Sequence, residues 1–495
     1  MLFHSFEFLL LFLPLVCAGF FLIGRYSPRL GASWLALSSL VFYGYWNPRF
    51  VLLILASITF NYLLARRIAA RQDTGTARHL LWLAVSLNLA LLAYFKYANF
   101  FLEAANAALG NDWSSPQILL PLGISVFTFT QIAFLVDVYR GLTREYRFVN
   151  YLLFVAYFPH LIAGPIIHHR QIMPQFDNLD NHRARADNFA VGLSIFMIGL
   201  AKKVLLASSF AEYADPIFDG ADQGLAPTLA AAWVGALAYT LQIYFDFSGY
   251  SDMAIGISRL FGIRLPENFN SPYKARSIID FWRRWNMTLS QFLRDYLYIP
   301  LGGNRRGPVR RYTNLAITML LGGLWHGANW TFVVWGGLHA LYLAVNHGWN
   351  ELTRNVRRPG LWPSRFIGIA LTFVAVVVGW VFFRCSSLDG AWRMLAGLVD
   401  LRHISEVGQL SGGGLDRLLI EYWIPRDSNY YRGGILALGL ALVWFAPNTR
   451  EIVERASASV SRAVFATIGA VWFWILLLAA IGESRQDSQF IYFNF

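Results

Sequence analysis

The sequence predicts an all-α polytopic membrane protein, with about 12 transmembrane or re-entrant helices in a single domain, residues 1–495. The composition is the first reason, because 56% of the residues are hydrophobic and only 14% are charged. A soluble domain has about 45–50% apolar and about 25% charged residues. The second reason is that apolar runs long enough to cross a hydrocarbon core of about 30 Å recur along the chain. Examples are Leu80–Phe95 with its flanks, Thr228–Phe245, Phe366–Phe383 and Val464–Ile481. A β-barrel would instead show alternating segments of about ten residues.

The charge distribution predicts the orientation of these helices. The first residues, MLFHSFEFLLLFLPLV, lack the basic start of a cleavable signal peptide and are predicted to form the first spanning helix. The loop Ser209–Pro227 carries acids and no base, so we place it outside, and the basic segment Arg259–Arg311 should be cytoplasmic. Another loop that we place in the cytoplasm contains Arg66, Arg67, Arg71 and Arg78. Counting helices from these loops puts both the N- and the C-terminus outside. The net charge of +12 therefore reflects membrane orientation, and no nucleic-acid partner is expected.

A histidine lies within an apolar run, in the stretch GGLWHGANW. The 14 residues between Arg311 and His326 would rise only about 21 Å as a helix, so the turn at Gly327 falls inside the membrane. Non-helical backbone at that depth must line a cavity or be buried in protein. An ionisable side chain there indicates a functional site, with Trp325 as a flat wall for a ligand. The alternative is a neutral His326 that ties two helices together, and the same choice applies to His339 on the following helix.

The chemistry of imidazole favours a catalytic role for His326. Neutral imidazole can take a proton from a hydroxyl group as that hydroxyl attacks a thioester or ester carbonyl. Burial disfavours the charged form of the ring, which keeps it available as a base. The sequence contains no G-x-S-x-G, H-E-x-x-H or P-loop motif, so nothing in it indicates a serine hydrolase, a zinc protease or an ATPase.

Two pairs of arginines, together with Asn286 and Trp325, are candidates for binding an anionic donor. Arg283 and Arg284 lie in DFWRRW, and Arg305 and Arg306 lie in the glycine-bearing LGGNRRG. Guanidinium groups bind phosphate in a planar, bidentate manner, and a phosphopantetheine thioester is polyanionic. Two alternatives remain open: orientation by the positive-inside rule alone, and a local ion pair with Asp280.

Two further acids lie in YFDFSGYSDMA, near the end of a predicted helix. We interpret Asp246 and Asp252 as structural partners of nearby arginines. Direct participation in catalysis is the alternative.

Long motifs make the sequence resemble the membrane-bound O-acyltransferase family, and within it the alginate O-acetylation branch. They include PLGISVFTFTQIAFLVDVYRG, YFPHLIAGPI, LQIYFDFSGYSDMAIGISRLFGIRLPENFNSPY, DFWRRWNMTLSQFLRDYLYIPLGGNRRG and LLGGLWHGANW. The resemblance implies a ring of helices around a central tunnel that joins a cytoplasmic donor side to an external acceptor side. It also implies that His326 is the catalytic histidine. Relatives commonly carry His at the position of Asn286, and because Asn cannot take a proton there, a second acid/base role at that position is doubtful.

The resemblance implies a bacterial inner-membrane O-acetyltransferase. It would use acetyl-CoA or another acyl thioester as a substrate, with no bound cofactor, and pass the acetyl group outward to an alginate-like polysaccharide. A periplasmic acetyltransferase would complete the delivery, and membrane lipid would surround the chain. Alternative acceptors are teichoic acid for D-alanylation, and peptidoglycan, cellulose or a small molecule for acetylation. A polysaccharide or lipid transporter is the alternative outside this class, but no two matching halves with interrupted helices are evident.

The last seven residues, QFIYFNF, raise a separate hypothesis. Five of them are large apolar or aromatic residues, so this tail is predicted to dock rather than stay solvated. One interpretation is an interfacial aromatic anchor. The other is that Tyr492 is an acyl carrier aimed at His326, similar to the tyrosine-bearing C-terminal peptides of related acyl-transfer systems.

Overall fold

The computed structural model describes residues 1–72, 74–114, 116, 118–143, 147–162, 164–354, 362–401 and 429–459, which form helices and connecting loops without any strand. In chain order the helices are α1 (Leu13–Gly24), α2 (Pro28–Trp46), α3 (Arg49–Ala69), α4 (Gly75–Leu92), α5 (Ala98–Leu109), α6 (Ile124–Tyr139), α7 (Phe148–Ala156), α8 (Phe158–Leu161), α9 (His169–Phe176), α10 (Ala186–Ala201), α11 (Ser208–Asp222), α12 (Leu229–Leu260), α13 (Ile278–Trp282), α14 (Met287–Leu293), α15 (Gly307–His326), α16 (Trp330–Leu352), α17 (Trp362–Arg384), α18 (Leu388–Val399), α19 (Asn429–Phe445) and α20 (Thr449–Ser459). Short π-helical segments occupy Glu7–Phe12, Ala93–Tyr97, Lys202–Ala207 and Arg294–Tyr298, and 3₁₀ turns occupy Leu179–His182 and Pro272–Lys274.

Five helical segments of the described chain are long and apolar enough to cross a membrane. They are Glu7–Gly24, Arg49–Ala69, Gly75–Leu109, Ala186–Asp222 and Arg365–Arg384. The first of them confirms the predicted N-terminal helix, and two others contain the predicted runs Leu80–Phe95 and Phe366–Phe383. The run Thr228–Phe245 is almost wholly helical but belongs to α12, which is not among the five. The run Val464–Ile481 lies outside the described residues. The count of about 12 segments and the ring around a tunnel stay predictions.

Two loop predictions were wrong. The acidic segment Ser209–Pro227 is helical up to Asp222, because its few acids fall on a helix that continues from the apolar run before it. In the basic loop, Arg66 and Arg67 lie in the last turn of α3, and Arg78 lies in the first turns of α4. In a sequence, charged residues that follow an apolar run look like loop residues. Here they lie in helical turns that extend beyond the apolar run.

The chain divides into two compact units. The first contains the described residues of Met1–Leu200, Gly249–Glu267 and Thr449–Asn494, and the second is built mainly from Ala201–Ser248 and Asn268–Asn448. Helix α12 runs from the second unit into the first. The single domain over residues 1–495 stays a prediction.

In the second unit, α15 and α16 form a tightly packed hairpin. A Cβ atom added at Gly323 would collide with the backbone carbonyl of Phe332, and one at Gly336 would collide with that of Met319. Small residues of this kind allow the backbones of two membrane helices to approach closely. The close crossing fixes where α15 ends, and therefore where its last residue, His326, is held.

Candidate functional site

His326 is the last residue of α15. The helix ends there because Gly327 is extended, at φ −164° and ψ 150°, and α16 begins three residues later. The side-chain oxygen of Asn329 accepts a hydrogen bond from the backbone N–H of Thr331 at 3.1 Å, which caps α16. The sequence prediction of a helix that stops at this histidine is thus confirmed.

Aromatic rings surround His326, which is only 3% exposed. Its ring centroid lies 4.9 Å from that of Trp325, 5.2 Å from that of Trp335 and 5.1 Å from that of Phe383, all three at steep angles. Trp325 therefore packs against the imidazole, and its role as a wall for a ligand stays a prediction. Such an enclosure limits the access of water to the imidazole.

His339 lies on α16 and is fully buried. The indole Nε1 of Trp282 donates a hydrogen bond to Nδ1 of His339 at 3.3 Å. Because Nδ1 acts as the acceptor, the neutral ring carries its proton on Nε2. This tautomer makes His339 a hydrogen-bond donor toward any ligand that reaches Nε2, and its predicted catalytic role stays a prediction.

Two N–H groups approach each other beside α17. The Nε2 atom of His339 and the Nε1 atom of Trp335 are buried, and neither has a hydrogen-bond partner in the part of the chain that the structure describes. A Cβ atom added at Gly379 would lie 3.1 Å from the first and 3.6 Å from the second. The centroids of the two rings are 4.7 Å apart. We call this pair the indole–imidazole donors. A buried donor without an acceptor costs about 1–3 kcal/mol, so the arrangement requires an explanation.

The indole N–H of a neighbouring tryptophan, in contrast, has a hydrogen-bond acceptor. Trp380 stacks on Trp335 with centroids 6.0 Å apart, and its Nε1 donates to the hydroxyl of Tyr273 at 3.2 Å. That hydroxyl in turn donates to the backbone carbonyl of Thr240 at 2.6 Å. Within the described residues, one of these two stacked indoles therefore has a hydrogen-bond acceptor and the other has none.

Comparison with known proteins identifies the family. The model of the membrane-bound O-acyltransferase family (MBOAT) matches residues 139–388. A probable alginate O-acetylase AlgI of Azotobacter vinelandii is 47% identical over 406 residues, which cover 80% of this chain and 78% of the relative. The chain belongs to the membrane-bound O-acyltransferase family. It is an acyltransferase and a multi-pass membrane protein.

Relatives of this O-acyltransferase act on different acceptors. A peptidoglycan O-acetyltransferase of Helicobacter pylori is 42% identical over 434 residues, which cover 82% of this chain and 81% of the relative. A teichoic acid D-alanyltransferase of Streptococcus thermophilus is 29% identical over 294 residues, 55% of this chain and 69% of the relative. The family membership therefore establishes O-acyl transfer but not the acceptor.

Asn286 of the O-acyltransferase has a conformational role. Its backbone is left-handed, at φ 40° and ψ 56°, and it directly precedes α14. Asn is among the few residues other than Gly that adopt this conformation readily. The backbone N–H of Met287 donates to the carbonyl of Asn268 at 3.0 Å, and the Thr288 hydroxyl donates to the Asn268 side-chain oxygen at 2.8 Å. The donor-binding role predicted for Asn286 stays a prediction, and the turn explains the residue without it.

The predicted donor-site arginines differ in their surroundings. Arg284 forms an ion pair with Asp280 at 2.8 Å, so the local pairing that the sequence allowed is present. Arg283 is exposed, as are Arg305 and Arg306 in the loop before α15. These three guanidinium groups are open to a ligand from solvent, whereas that of Arg284 is engaged.

The two acids of YFDFSGYSDMA have partners other than the predicted arginines. Asp246 forms an ion pair with Lys203 at 2.8 Å, and both side chains are at most 5% exposed. Asp252 accepts a hydrogen bond from the hydroxyl of Thr449 at 2.6 Å. The structural interpretation of Asp246 is supported, with a lysine as one partner of its carboxylate, and the predicted arginine partners stay a prediction. Lys203 lies in an apolar helix, where a buried ammonium needs a paired carboxylate.

Sequence reasoning missed several of the residues around the histidines. Trp335 and Gly379 looked like ordinary membrane-helix residues, and in DFWRRW only the residues after Trp282 were singled out. Nothing local marks an indole N–H without an acceptor. Lys203 did carry a signal, because a lysine within an apolar run of this length is expected to be paired. The predicted carrier Tyr492 and the whole tail QFIYFNF lie outside the described residues.

Proposed function

We propose that this protein is an inner-membrane O-acetyltransferase that takes an acetyl group from a cytoplasmic thioester, such as acetyl-CoA, and makes it available for O-acetylation of an external, alginate-like polysaccharide. Both termini would then lie outside. The observation that carries this proposal is His326, an imidazole enclosed by aromatic rings where α15 ends. The 47% identity to a protein described as a probable alginate O-acetylase supports the choice of acceptor.

In this mechanism His326 is the general base. Its neutral imidazole takes the proton of the acceptor hydroxyl as the hydroxyl oxygen attacks the carbonyl carbon of the thioester. The tetrahedral intermediate then collapses, the C–S bond breaks, and the imidazolium returns the proton to the leaving sulfur. An ester and a free thiol result, so protons and electrons balance. The aromatic enclosure keeps water, a competing acceptor, away from the thioester.

The indole–imidazole donors are suited to stabilise the oxyanion that forms in this reaction. Negative charge develops on the carbonyl oxygen as the hydroxyl attacks, and preorganised N–H groups that meet this oxygen lower the barrier. Nε1 of Trp335 and Nε2 of His339 are two such donors, and the Trp335 ring also packs on His326. We assign them to the oxyanion, which explains why no protein acceptor satisfies them among the described residues.

The donor would approach from the cytoplasm through the exposed Arg283, Arg305 and Arg306. Their guanidinium groups suit the phosphates of a coenzyme or a phosphopantetheine carrier. A soluble periplasmic acetyltransferase would receive the acetyl group outside, and Tyr492 is the proposed intermediate carrier.

The substitution His326→Ala tests the proposal. It should reduce thioester consumption by the purified protein by at least about 10²–10⁴-fold, the usual contribution of general-base catalysis. His160→Ala, which removes another fully buried histidine, serves as the control for folding. Retention of most of the activity by a folded His326→Ala variant would contradict the base assignment.

Peptidoglycan acetylation is the second candidate, because a peptidoglycan O-acetyltransferase is 42% identical over 82% of the chain. Mass spectrometry of exopolysaccharide and peptidoglycan, from cells with and without the gene, separates the two. Loss of acetyl groups from peptidoglycan alone would replace the alginate-like acceptor in our proposal.

A further inference from the structure

A cleft in the first unit is lined by residues that take no part in the proposed acyl transfer. It encloses about 530 Å³ between α10, the end of α12 with the residues that follow it, and α20. We call it the arginine cleft, after Arg259, Arg264 and Arg450 in its lining. Six apolar side chains form a continuous wall of the cleft: Val191, Ile195, Ile255, Ile263, Leu265 and Val453.

Most polar groups of the arginine cleft are satisfied within the protein. Asp252 accepts from the hydroxyl of Thr449 at 2.6 Å. Arg450 forms ion pairs with Glu267 at 3.1 Å and with Glu454 at 2.7 Å. The carboxylates of the cleft are therefore engaged, and so is one of its three arginines.

The other two arginines are not engaged in this way. In the described part of the chain, neither Arg259 nor Arg264 has a carboxylate within ion-pair distance. The positive charges of Arg264 and Arg185 repel that of the half-buried Arg259, and Asp187 offsets this only in part. Like charges gathered at a partly desolvated site are unfavourable unless an anion binds between them.

The apolar wall is rigid and lies near the end of a membrane helix. A Cβ atom at Gly192 would lie 2.8 Å from the carbonyl oxygen of Gly256, so α10 and α12 cross with their backbones almost in contact. Val191 and Ile195 flank this crossing, in the first turns of the candidate span Ala186–Asp222. Near the end of a helix that crosses a bilayer, lipid head groups meet acyl chains.

We propose that the arginine cleft binds an anionic phospholipid of the surrounding bilayer. The phosphate lies between Arg259 and Arg264, where its oxygens accept charge-assisted hydrogen bonds. An acyl chain follows the apolar wall along Ile195 and Ile255. This wall decides between the two sources of phosphate, because a soluble phosphate compound gains nothing from six apolar side chains. The bound lipid connects α20 to α10 and α12, and it stabilises the first unit.

The test uses the full-length protein, purified in a zwitterionic detergent and titrated with three probes. Short-chain phosphatidylglycerol carries both the phosphate charge and the acyl chains, glycerol 3-phosphate lacks the chains, and phosphatidylcholine lacks the net charge. Thermal unfolding is followed at each concentration, because a ligand that binds only the folded state raises the midpoint temperature. Phosphatidylglycerol should raise the midpoint, and the other two probes should have little effect.

Variants locate the site. Arg259→Gln together with Arg264→Gln should weaken phosphatidylglycerol binding by about tenfold or more, because two charge-assisted contacts are lost. Arg310→Gln, which removes an exposed arginine of the second unit, should bind like the wild type. If the double variant does not fold, Arg264→Gln alone is used, since that side chain is exposed.

Three results would overturn the proposal. The first is unchanged phosphatidylglycerol binding in the arginine variants. The second is equal stabilisation by glycerol 3-phosphate, which would indicate a soluble phosphate ligand. The third is equal stabilisation by phosphatidylcholine, which would show that the charge is not recognised.

Discussion

Replacing Trp335 by Phe tests the oxyanion assignment most directly. The substitution removes one N–H group and keeps an aromatic ring next to His326, so the enclosure of the base is largely retained. The second donor, Nε2 of His339, remains in place. Removing a single oxyanion donor costs about 10²–10³ in kcat in other acyl-transfer enzymes. We expect the lower part of this range, about 10²-fold, because the neutral indole is one of two donors.

The structure offers a matched control. Trp380→Phe also removes one indole N–H from the same stack of rings, but this N–H already donates to Tyr273 at 3.2 Å. Loss of this hydrogen bond should lower the free energy of unfolding by about 1 kcal/mol, the usual value for one hydrogen bond. It should leave kcat within about threefold of the wild type, because this donor does not face the reaction.

The assay is steady-state release of free thiol from acetyl-CoA by the purified protein, with thermal unfolding measured on the same samples. Trp335→Phe should lower kcat and change the KM for the donor little, since the charge on the oxygen exists only in the transition state. Thermal stability should fall less than in Trp380→Phe, because both variants lose the same buried ring volume but only Trp380 also loses a hydrogen bond seen within the described residues. Equal activity of the two variants, or a change confined to KM, would refute the oxyanion assignment.

Two further predictions concern the donor and the tail. Charge reversal of Arg305 and Arg306 to Glu should raise the KM for an anionic thioester several-fold and weaken the dependence of this KM on salt. The reason is that exposed charges that steer the donor are screened by ions. An unchanged KM, with only membrane insertion altered, would show that these arginines serve only to orient the chain in the membrane. Tyr492→Phe should abolish polymer acetylation while membrane insertion stays intact. Peptide mass spectrometry of wild-type protein incubated with the donor should find an acetyl adduct on Tyr492. Full polymer acetylation in the variant would show that the tail is an interfacial anchor and not an acyl carrier.

The position of His326 could be predicted because it depends on local spacing. The distance from Arg311, the glycine after the histidine and the two flanking tryptophans together place the end of a helix within an apolar run. The structure ends α15 at that histidine. The resemblance to the family assigned a role to the same residue, so two independent arguments agree on it.

The indole–imidazole donors could not be predicted, since they depend on three segments distant in sequence. Trp282 sets the tautomer of His339 from α13, Trp335 comes from α16, and the space beside them exists because residue 379 on α17 is a glycine. Trp335 and Gly379 are by themselves ordinary members of apolar helices, and Trp282 lies in a short helix that the sequence places on the cytoplasmic side. Only packing shows that one indole N–H has a partner and that another does not.

The pairing of Asp246 illustrates a rule that applies to membrane helices in general. Nearby arginines were predicted as its partners, but the positive-inside rule places arginines mainly at the ends of membrane helices. A carboxylate within an apolar helix must instead pair with a base at its own depth. Lys203 is such a base, on an apolar helix, and its ammonium lies 2.8 Å from the carboxylate. Removing either partner would leave an uncompensated buried charge at a cost of about 3–5 kcal/mol. The depth of a charge within its helix, more than the abundance of its possible partners, therefore decides which pair forms.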